Sequence, residues 1–511
     1  MSKGKVFLVG AGPGDPGLLT LKGMECLKKA DVVVYDRLAS PRILQYASGG
    51  AELVNVGKRP DRHTMRQEEI NALLVRKARE GKVVVRLKGG DPFIFGRGGE
   101  EAEILCEQGI DFEVVPGITS AVAVPAYAGI PLTHRKYASS VGIVTGHEDP
   151  GKASSALNWE GLATATDTLV FLMGMENLPK IVAQLTAHGR DPKTPVAVIR
   201  WGTRAEQETV TATLDTIIEE VEKKGVGSPA IILVGEVVKL RSCLTWFEKK
   251  PLFGYRVLVT RSRAQASVLS ELIEELGGEP WEFPVIKTSP PADWAPLDQA
   301  IRRIKDYRWV FLTSSNGVEA FFNRLYRQGL DARHLAGVKV CAIGPATAWA
   351  LRERGIQVDF VPDQYRAEGI LAGLDGELEP GDRVLLARAD IAREALATGL
   401  RRMGVLVEEV DAYRTEMDRG DVATVREMLK SGRIGVVTFT SSSTVSNFVE
   451  LLGREEVPAL LGDVIVACIG PVTAGRARDL GIEVNVEAGE YTIPGLVEAI
   501  VRYVTRQRDH H

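Results

Sequence analysis

The sequence predicts an α/β protein of several domains, and three observations support this fold class. Short apolar runs with β-strand character alternate with helical patterns along nearly the whole chain. At 511 residues the chain is too long for a single hydrophobic core, so we expect roughly two to four domains. Several short blocks of the second half recur at a nearly constant interval, which indicates two similar α/β units there.

Composition narrows the class of protein. The apolar fraction of 45% and the charged fraction of 25% are typical of a soluble globular protein. A net charge of −4 argues against a general nucleic-acid binder. Neither a long apolar run nor a signal-peptide core is recognisable, so we expect a cytoplasmic protein without a membrane segment. The 5 cysteines and 7 histidines show no ligand spacing, so we predict reduced thiols and no metal.

The first βα unit contains a glycine-rich loop. Lys5 to Val9 is predicted to be a strand, and residues 10–17 form the loop. Asp15 stands where the third glycine of a dinucleotide fingerprint would be, and Pro13 removes a main-chain donor that a pyrophosphate would use. An NAD-dependent oxidoreductase is therefore disfavoured. The helix after the loop is expected to place four apolar residues on one face: Leu18, Leu21, Met24 and Leu27.

The stretch from Val84 to Glu101 is the most informative part of the first half. It predicts the end of a buried strand, then a turn at Gly89, Gly90 and Asp91, then a helix. Two adjacent glycines allow a ligand to lie against the main chain, and a carboxylate suits a ribose hydroxyl or an amine better than a phosphate. The alternative is an ordinary strand-to-helix turn.

Four consecutive strands of this half are predicted to end at one edge of a parallel sheet. They would bring Pro13, Asp36, Lys58 and the turn at residues 89–91 to the same rim. An acid and a lysine on one rim can serve as a general base and a general acid. Alternatively, Asp36 caps a helix and Lys58 is solvated.

Beyond Val115 the pattern predicts a second α/β lobe, with the binding site in the cleft between the lobes. Helices are expected near Glu176 to His188 and near Leu214 to Lys224. The predicted strands are Val141 to Thr145, Thr168 to Met173, Pro195 to Arg200 and Ala230 to Val234.

Taken together, the motifs of the first half resemble uroporphyrinogen-III C-methyltransferase over about residues 1–246. They are Gly10 to Gly14, Tyr35-Asp36-Arg37, Gly57-Lys58-Arg59, Gln67 to Asn71, Val84 to Glu101, Pro116 to Ser120, Gly129 to Arg135 and Leu169 to Gly174. The resemblance implies a two-lobed tetrapyrrole methylase fold, with lobes at about residues 1–115 and 116–246, usually found as a homodimer. It implies S-adenosylmethionine as the cofactor and methylation of uroporphyrinogen III at C2 and C7, which gives precorrin-2.

The resemblance also assigns roles position by position. Asp36 would be the proton acceptor and Lys58 the proton donor. Arginines are candidates to pair with the substrate carboxylates, although each is also a plausible surface residue: Arg37, Arg59, Arg97 and Arg135. The cofactor would be bound by Pro13, Gly89, Gly90, Asp91, Ile94, Thr119, Ser120, Met173, Gly202 and Ala230. The position of Ser120 is often alanine in relatives. Since the methylase strand starts at Lys5, we expect no dehydrogenase and chelatase module before it.

A linker is predicted at residues 247–253, and the chain after it contains an internal repeat. The block that starts at Arg256 returns at Arg383, 127 residues later, and the block at Phe311 returns at Phe439 with Thr313 matched to Thr440. The block Ile343-Gly-Pro returns 126 residues later. Two similar α/β units are expected to line a cleft with small hydroxyl and main-chain groups. Taken alone, the repeat favours a ligand-binding module over an enzyme.

The repeat and its strand-end motifs resemble uroporphyrinogen-III synthase over about residues 252–506. The motifs are Thr313 to Val318, Ile343 to Ala348, Tyr413-Arg414-Thr415 and Ile469 to Ala474. The resemblance implies two flavodoxin-like α/β lobes of a uroporphyrinogen-III synthase fold. Lobe one would combine about residues 254–286 with 416–506, and lobe two would contain about 287–415, followed by a tail at 507–511.

This second family cyclises hydroxymethylbilane to uroporphyrinogen III and needs no cofactor. Tyr413 matches the tyrosine usually proposed as catalytic, although a hinge tyrosine that only packs is equally compatible. Ser314, Ser441 and Thr473 would contact the carboxylates or pyrroles of the substrate. The main task of such an enzyme is to fold the bilane so that ring D closes through its hindered carbon.

The two resemblances predict one cytoplasmic enzyme of tetrapyrrole biosynthesis with two activities, which makes uroporphyrinogen III and then methylates it. Its product would feed siroheme, cobalamin or both. We expect tetrapyrrole substrates, a homodimer, and no nucleic-acid or membrane partner. The alternative is a methyltransferase fused to a non-catalytic lobe that binds a tetrapyrrole and regulates it.

Overall fold

The computed structural model describes residues 4–36, 40–57, 65–147, 157–261, 263–390 and 394–509, with the backbone alone for 263–267 and 509. The chain divides into two compact units with four five-stranded sheets in total. Unit one comprises Met1–Arg256, Leu272–Pro280 and Val501–His511, and unit two comprises Val257–Glu271 and Trp281–Ile500. No helix in these described ranges is both long and apolar enough to cross a membrane.

The first sheet is parallel, as predicted. Its strands are β1 (Lys5–Gly10), β2 (Val32–Tyr35), β3 (Glu52–Asn55), β4 (Val83–Lys88) and β5 (Asp111–Val115). Its helices are α1 (Leu21–Lys29), α2 (Gln67–Arg79) and α3 (Gly98–Glu107). The strand order is β3-β2-β4-β1-β5, and every pairing is parallel. The valine-rich strands are buried because helices cover both faces of such a sheet. All carboxyl ends therefore lie at one edge.

The predicted apolar face of the first helix is wrong at its beginning. Leu18 lies in a separate helical turn, Pro16–Leu18, and Leu21 is 80% exposed. The helix starts only after Thr20, whose hydroxyl accepts a hydrogen bond from the N–H of Gly23 at 3.1 Å. Within the helix the buried face carries Gly23, Cys26 and Leu27, and Leu21 lies on the opposite side, so Leu27 is buried but Leu21 is not.

The second sheet is mixed. Its strands are β6 (Val141–Thr145), β7 (Thr168–Leu172), β8 (Pro195–Arg200), β9 (Glu208–Thr213) and β10 (Ala230–Val234), in the order β6-β7-β10-β8-β9. Its helices are α4 (Ser120–Tyr127), α5 (Trp159–Ala165), α6 (Leu178–Ala187) and α7 (Ile217–Lys224), and α8 (Arg241–Leu244) follows. The sequence did not predict β9 or α5. The strand β9 is a threonine-rich edge strand in which only Val210 is fully buried, so its apolar signal is weak.

The rest of the chain forms two further sheets. The strands are β11 (Arg256–Val259), β12 (Glu279–Glu282), β13 (Ile286–Ser289), β14 (Trp309–Leu312), β15 (Lys339–Ala342), β16 (Arg383–Ala389), β17 (Leu406–Met417), β18 (Val436–Phe439), β19 (Ile465–Cys468) and β20 (Val486–Glu487). The helices are α9 (Arg263–Glu275), α10 (Ala295–Arg302), α11 (Ser315–Arg327), α12 (Pro345–Arg352), α13 (Ala367–Gly373), α14 (Ala395–Arg402), α15 (Val422–Lys430), α16 (Ser442–Leu452), α17 (Val457–Leu460), α18 (Pro471–Asp479) and α19 (Ile493–Asp509).

The internal repeat is confirmed by the order of the strands. One sheet has the order β12-β11-β18-β19-β20, and the other has β13-β17-β16-β14-β15. The repeated blocks place β11, β18 and β19 in the same relative positions as β16, β14 and β15. Strand β13 pairs antiparallel with the end of β17, where Ile286 faces Met417 and Ser289 faces Arg414. The predicted limits of the domains remain a prediction.

Candidate active sites

A cavity of about 740 Å³ in unit one is lined by residues of the first and the second sheet and their loops. It brings together all of the residues that the sequence assigned to cofactor binding. They are Pro13, Gly89, Gly90, Asp91, Ile94, Thr119, Ser120, Met173, Gly202 and Ala230. Asp36 and Arg97 also line the cavity. Residues from strand ends far apart in the sequence thus converge on one space, as expected for a parallel sheet.

Tight main-chain packing forms one wall of this cavity. Gly90 has φ +69° and exchanges main-chain hydrogen bonds with Gly12, at 2.8 Å and 3.2 Å. A Cβ atom added to Gly10 would lie 2.5 Å from the Cα atom of Gly117 and 2.6 Å from the oxygen of Gly90. Only glycines allow these segments to approach so closely, and Gly90, which lines the cavity, leaves room for a ligand beside the main chain.

Asp91 organises this loop. One carboxylate oxygen accepts hydrogen bonds from the N–H groups of Phe93 and Ile94, at 2.8 Å and 3.1 Å. The other oxygen accepts from the N–H of Gly117 at 3.0 Å. A carboxylate has about four acceptor positions, so Asp91 can hold the loop and still accept a hydrogen bond from a ligand.

Backbone strain is concentrated around the same cavity. Among the described residues, the non-glycine residues with positive φ are Phe95, Arg97, Met173, Trp201 and Thr203. All of them line the cavity except Thr203, which lies between two residues that do. Such conformations cost about 1–3 kcal/mol each and persist where the surrounding structure imposes them, often at ligand sites.

A network of buried charges lies at the side of the cavity where β4 ends. The Oε1 atom of Glu101 accepts from Lys88 Nζ at 2.8 Å, from Arg86 Nε at 3.2 Å and from Gln67 Nε2 at 3.1 Å. Arg86 Nη2 lies 3.5 Å from the Oδ2 atom of Asp36. All of these residues line the cavity except Glu101, which is 1% exposed. The network therefore connects a fully buried carboxylate to the predicted proton acceptor.

The network changes the ionisation of Lys88. Burial lowers the pKa of its amine, and the nearby Arg86 lowers it further, while Glu101 acts in the opposite direction. The sequence reasoning missed Arg86, Lys88 and Glu101 as site residues. The available signal was the pair of cations two residues apart in a strand that is otherwise apolar, since such residues share one face.

Asp15, which takes the place of a fingerprint glycine, has a structural role. Its carboxylate accepts a 2.6 Å hydrogen bond from the hydroxyl of Tyr127, and its N–H donates to the hydroxyl of Thr203 at 3.1 Å. Burial, followed by the contact with Asp15, raises the pKa of Tyr127. The aspartate thus ties the first loop to α4 and to the loop after β8.

The arginines predicted to bind substrate are placed differently from one another. Arg97 is half-exposed and pairs with Glu100, at 2.9 Å and 2.6 Å. Arg135 is exposed and does not line the cavity. Arg37, Arg59 and the predicted proton donor Lys58 lie outside the described residues.

In unit two, the predicted residues Ser314 and Ser441 stand at equivalent strand ends, while Tyr413 lies within β17. Ser314 begins α11 and accepts from the N–H of Gly317 at 3.0 Å, and its hydroxyl lies 2.9 Å from that of Tyr413. Ser441 begins α16 in the same way and accepts from the N–H of Thr444 at 3.2 Å. Thr473 is 4% exposed within α18.

Tyr413 is held in its neutral form. Burial raises the pKa of its hydroxyl, while the hydrogen bond with Ser314 acts in the opposite direction and Asp390 raises it. At neutral pH the phenol keeps its proton, and the pair can donate a hydrogen bond to a ligand.

Comparison with known proteins identifies both halves. Residues 5–218 match the family model described as Tetrapyrrole (Corrin/Porphyrin) Methylases, and residues 267–498 match that described as Uroporphyrinogen-III synthase HemD. The chain is 55% identical to the uroporphyrinogen-III C-methyltransferase of Priestia megaterium over 46% of this chain and 98% of the relative. A crystal structure of uroporphyrin-III C-methyl transferase from Thermus thermophilus complexed with S-adenyl homocysteine is 43% identical, covers 46% of this chain and 99% of its own, and has a TM-score of 0.40.

One relative spans the whole chain. The porphyrin biosynthesis protein HemD of Ruminiclostridium josui is 41% identical over 98% of both chains. The present chain therefore belongs to the family of this protein, in which a tetrapyrrole methylase is joined to a uroporphyrinogen-III synthase.

Proposed function

We propose that this chain is a bifunctional enzyme of tetrapyrrole biosynthesis. Its second half cyclises hydroxymethylbilane to uroporphyrinogen III. Its first half methylates that product at C2 and C7 with S-adenosylmethionine and gives precorrin-2, which feeds siroheme, cobalamin or both. The observation that carries the proposal is the convergence of all the predicted cofactor residues on one cavity, in a chain whose two halves match these two families.

The cavity suits S-adenosylmethionine. Gly89 and Gly90 line it without side chains, so the cofactor can lie close to the main chain there, and Asp91 can accept from a ribose hydroxyl or an ammonium group. Met173 and Ile94 are about half-exposed apolar side chains of the cavity that can contact the adenine ring. When bound, the cofactor supplies the sulfonium methyl group that is transferred.

The residues of the chain align the reactants and accept a proton. A pyrrole carbon attacks as an enamine-like nucleophile, so the macrocycle must lose a proton to a base. Asp36 would accept it, and Arg86, whose Nη2 atom lies 3.5 Å from Oδ2 of Asp36, would hold this carboxylate in position. Lys58 would return a proton as the donor. Methyl transfer itself needs mainly alignment, which a preformed cavity supplies.

The synthase half would fold the bilane and assist the loss of its hydroxyl group. The neutral phenol of Tyr413 would donate a hydrogen bond to the departing hydroxyl, and Ser314 would hold that phenol in place. Ser441 and Thr473 would contact the substrate from the other lobe. The loss of water generates the electrophile, and the fold of the bilane decides which carbon of ring D closes the macrocycle.

The test is anaerobic incubation of the whole protein with hydroxymethylbilane, with and without S-adenosylmethionine. We expect uroporphyrin III after oxidation of the cofactor-free sample and a dimethylated product when the cofactor is present. If only the spontaneous type I isomer forms without cofactor, the second half is a non-catalytic tetrapyrrole-binding lobe. A homodimer and a cytoplasmic location are also proposed, and sedimentation of the purified protein tests the first.

A further inference from the structure

Two exposed tyrosines occupy the same position in the two repeats of unit two. Tyr365 and Tyr491 are 126 residues apart, the interval of the neighbouring Ile-Gly-Pro block. Tyr365 is 57% exposed and Tyr491 is 65% exposed. Neither tyrosine is one of the residues assigned a role above.

Both tyrosines are presented by the same local structure. Each is the central residue of a three-residue turn, in which the N–H of the next residue donates to the oxygen of the preceding one. These hydrogen bonds join Arg366 to Gln364 at 2.7 Å and Thr492 to Glu490 at 2.8 Å. The same turn therefore stands just before α13 and just before α19, and it holds the two tyrosines in equivalent positions.

A glycine four residues after each tyrosine makes this turn possible. A Cβ atom added to Gly369 would lie 2.1 Å from the oxygen of Gln364. A Cβ atom added to Gly495 would lie 2.4 Å from the oxygen of Glu490. The pattern Tyr-x-x-x-Gly therefore recurs in both repeats for a steric reason, since any larger residue would displace the turn.

Both rings lie over the start of a helix at the edge where the parallel strands end. A Cβ atom on Gly344, just before α12, would lie 3.4 Å from Cβ and Cγ of Tyr365, and one on Gly470, just before α18, would lie 2.9 Å from Cδ1 of Tyr491. Ligands of parallel α/β sheets bind at this edge. The serines that begin α11 and α16 are at the same edges of their sheets.

Packing within each lobe does not explain why the tyrosines are retained. Some residues shared by the repeats are buried, as Thr347 and Thr473 at 4% exposure illustrate. A ring that stays more than half exposed contributes little to the core. An exposed aromatic residue, kept twice together with its supporting glycine, indicates a surface that binds something in both lobes.

We propose that Tyr365 and Tyr491 contact the pyrrole rings of the linear tetrapyrrole substrate, one tyrosine on each lobe. This inference rests on the proposed synthase function. A tyrosine ring can stack on a pyrrole, and its hydroxyl can donate to an acetate or propionate carboxylate. The paired contacts hold the two halves of the bilane while ring D is turned for closure.

The lobes are equivalent in holding substrate but differ in chemistry. Tyr413 has no counterpart in the other repeat, because the residue 127 positions earlier is Ile286. The hydroxyl of Ser441 instead lies 2.9 Å from that of Ser443. Both lobes thus carry an exposed tyrosine for substrate binding, but only one lobe carries the phenol of Tyr413. This asymmetry fits a reaction that inverts only one ring.

The test measures synthase kinetics of the full chain with hydroxymethylbilane, and separates the type I and type III products after oxidation. Tyr365→Ala and Tyr491→Ala are each expected to raise KM by roughly 3- to 10-fold with little change in kcat, and the double variant by roughly the product. Tyr326→Ala is the matched control, since Tyr326 is 47% exposed but lies in the last turn of α11, away from the strand ends. It should leave KM unchanged.

Further variants separate the ring from the hydroxyl and from folding. Tyr→Phe variants should keep KM near the wild-type value if stacking dominates, and raise it if the hydroxyl is the contact. Tyr→Leu variants keep an apolar side chain over Gly344 or Gly470. A raised KM in these variants would therefore result from the loss of the aromatic ring. Methylation of added uroporphyrinogen III, carried out by the other half, should remain unchanged in every variant.

The outcomes distinguish this inference from the proposed function. A wild-type protein that forms no type III isomer contradicts the synthase function itself. An active wild-type protein whose Ala and double variants keep KM within about twofold overturns the role of the tyrosines alone. A fall in kcat without a change in KM also overturns it, because it would show that the rings do not contribute to substrate binding.

Discussion

Replacing Glu101 with glutamine should destabilise the part of the chain around the methylase cavity and make its stability depend on pH. The buried carboxylate lies 2.8 Å from the amine of Lys88 and 3.2 Å from the guanidinium of Arg86. Glutamine keeps an oxygen acceptor of the same size but removes the negative charge. Of the network described above, Asp36 is then the carboxylate that remains, with its Oδ2 atom 3.5 Å from Arg86.

The expected loss follows from the cost of an uncompensated buried charge. Removing one partner of a buried ion pair typically costs about 3–5 kcal/mol, and the retained hydrogen bonds place Glu101→Gln near about 3 kcal/mol. Glu100→Gln is the matched control on the same helix. Its partner Arg97 is about half-exposed, so that change should cost less than about 1 kcal/mol.

The pH dependence follows from Lys88. Burial and Arg86 lower the pKa of its amine, and Glu101 raises it, so the variant should have a still lower value. The unperturbed pKa of lysine, about 10.4, applies to the unfolded chain. Between the lowered pKa of the folded variant and this value, the unfolded chain binds more protons than the folded one, so the free energy of unfolding increases with pH. The difference in stability between variant and wild type should therefore shrink as the pH is raised.

Hydrogen exchange measured by mass spectrometry on peptides from β4 and α3 checks this prediction locally, which avoids assuming one unfolding transition for a chain with two units. In a series of measurements that extends from about pH 6.5 toward the usual pKa of lysine, the difference should become smaller once the pH exceeds the lowered pKa of Lys88 in the variant. A loss below about 1 kcal/mol, or one equal to that of Glu100→Gln, would refute the reasoning about the buried charges.

Further changes test the two active sites. Asp36→Asn should slow methylation by roughly 100-fold or more while the affinity for S-adenosylmethionine, measured by calorimetry, stays nearly intact, and unchanged turnover would exclude Asp36 as the base. Tyr413→Phe should lower the synthase kcat by roughly 10- to 100-fold without affecting methylation. An unaltered kcat would show that Tyr413 only packs beside Ser314 and takes no part in the reaction. Gly202→Ala should weaken cofactor binding at least about tenfold, because the added Cβ atom would lie 2.3 Å from Cγ1 of Val124 at the cavity wall. An affinity equal to that of the wild type would show that Val124 moves aside without disturbing the cavity.

Much of the fold follows from local patterns. Alternating strands and helices, the parallel first sheet and the repeat of the second half were all predicted, because apolar periodicity and turn residues are local signals. The prediction failed where a local signal was weak or interrupted. Edge strand β9 lacks a continuous apolar face, and the first helix buries the face of Gly23 and Leu27, which leaves Leu21 exposed on the opposite side.

For the candidate sites, the sequence by itself determined which loops meet, since strand ends of a parallel sheet share one edge. Only the tertiary structure decided how the side chains there are used. Asp91 accepts hydrogen bonds from its own loop and from Gly117, 26 positions away. Glu101 accepts from two cations, and the hydroxyl of Ser314 lies 2.9 Å from that of Tyr413, 99 positions away in the chain. Such contacts join residues that no local period connects, so packing and charge pairing in the folded chain, rather than propensity, determine them.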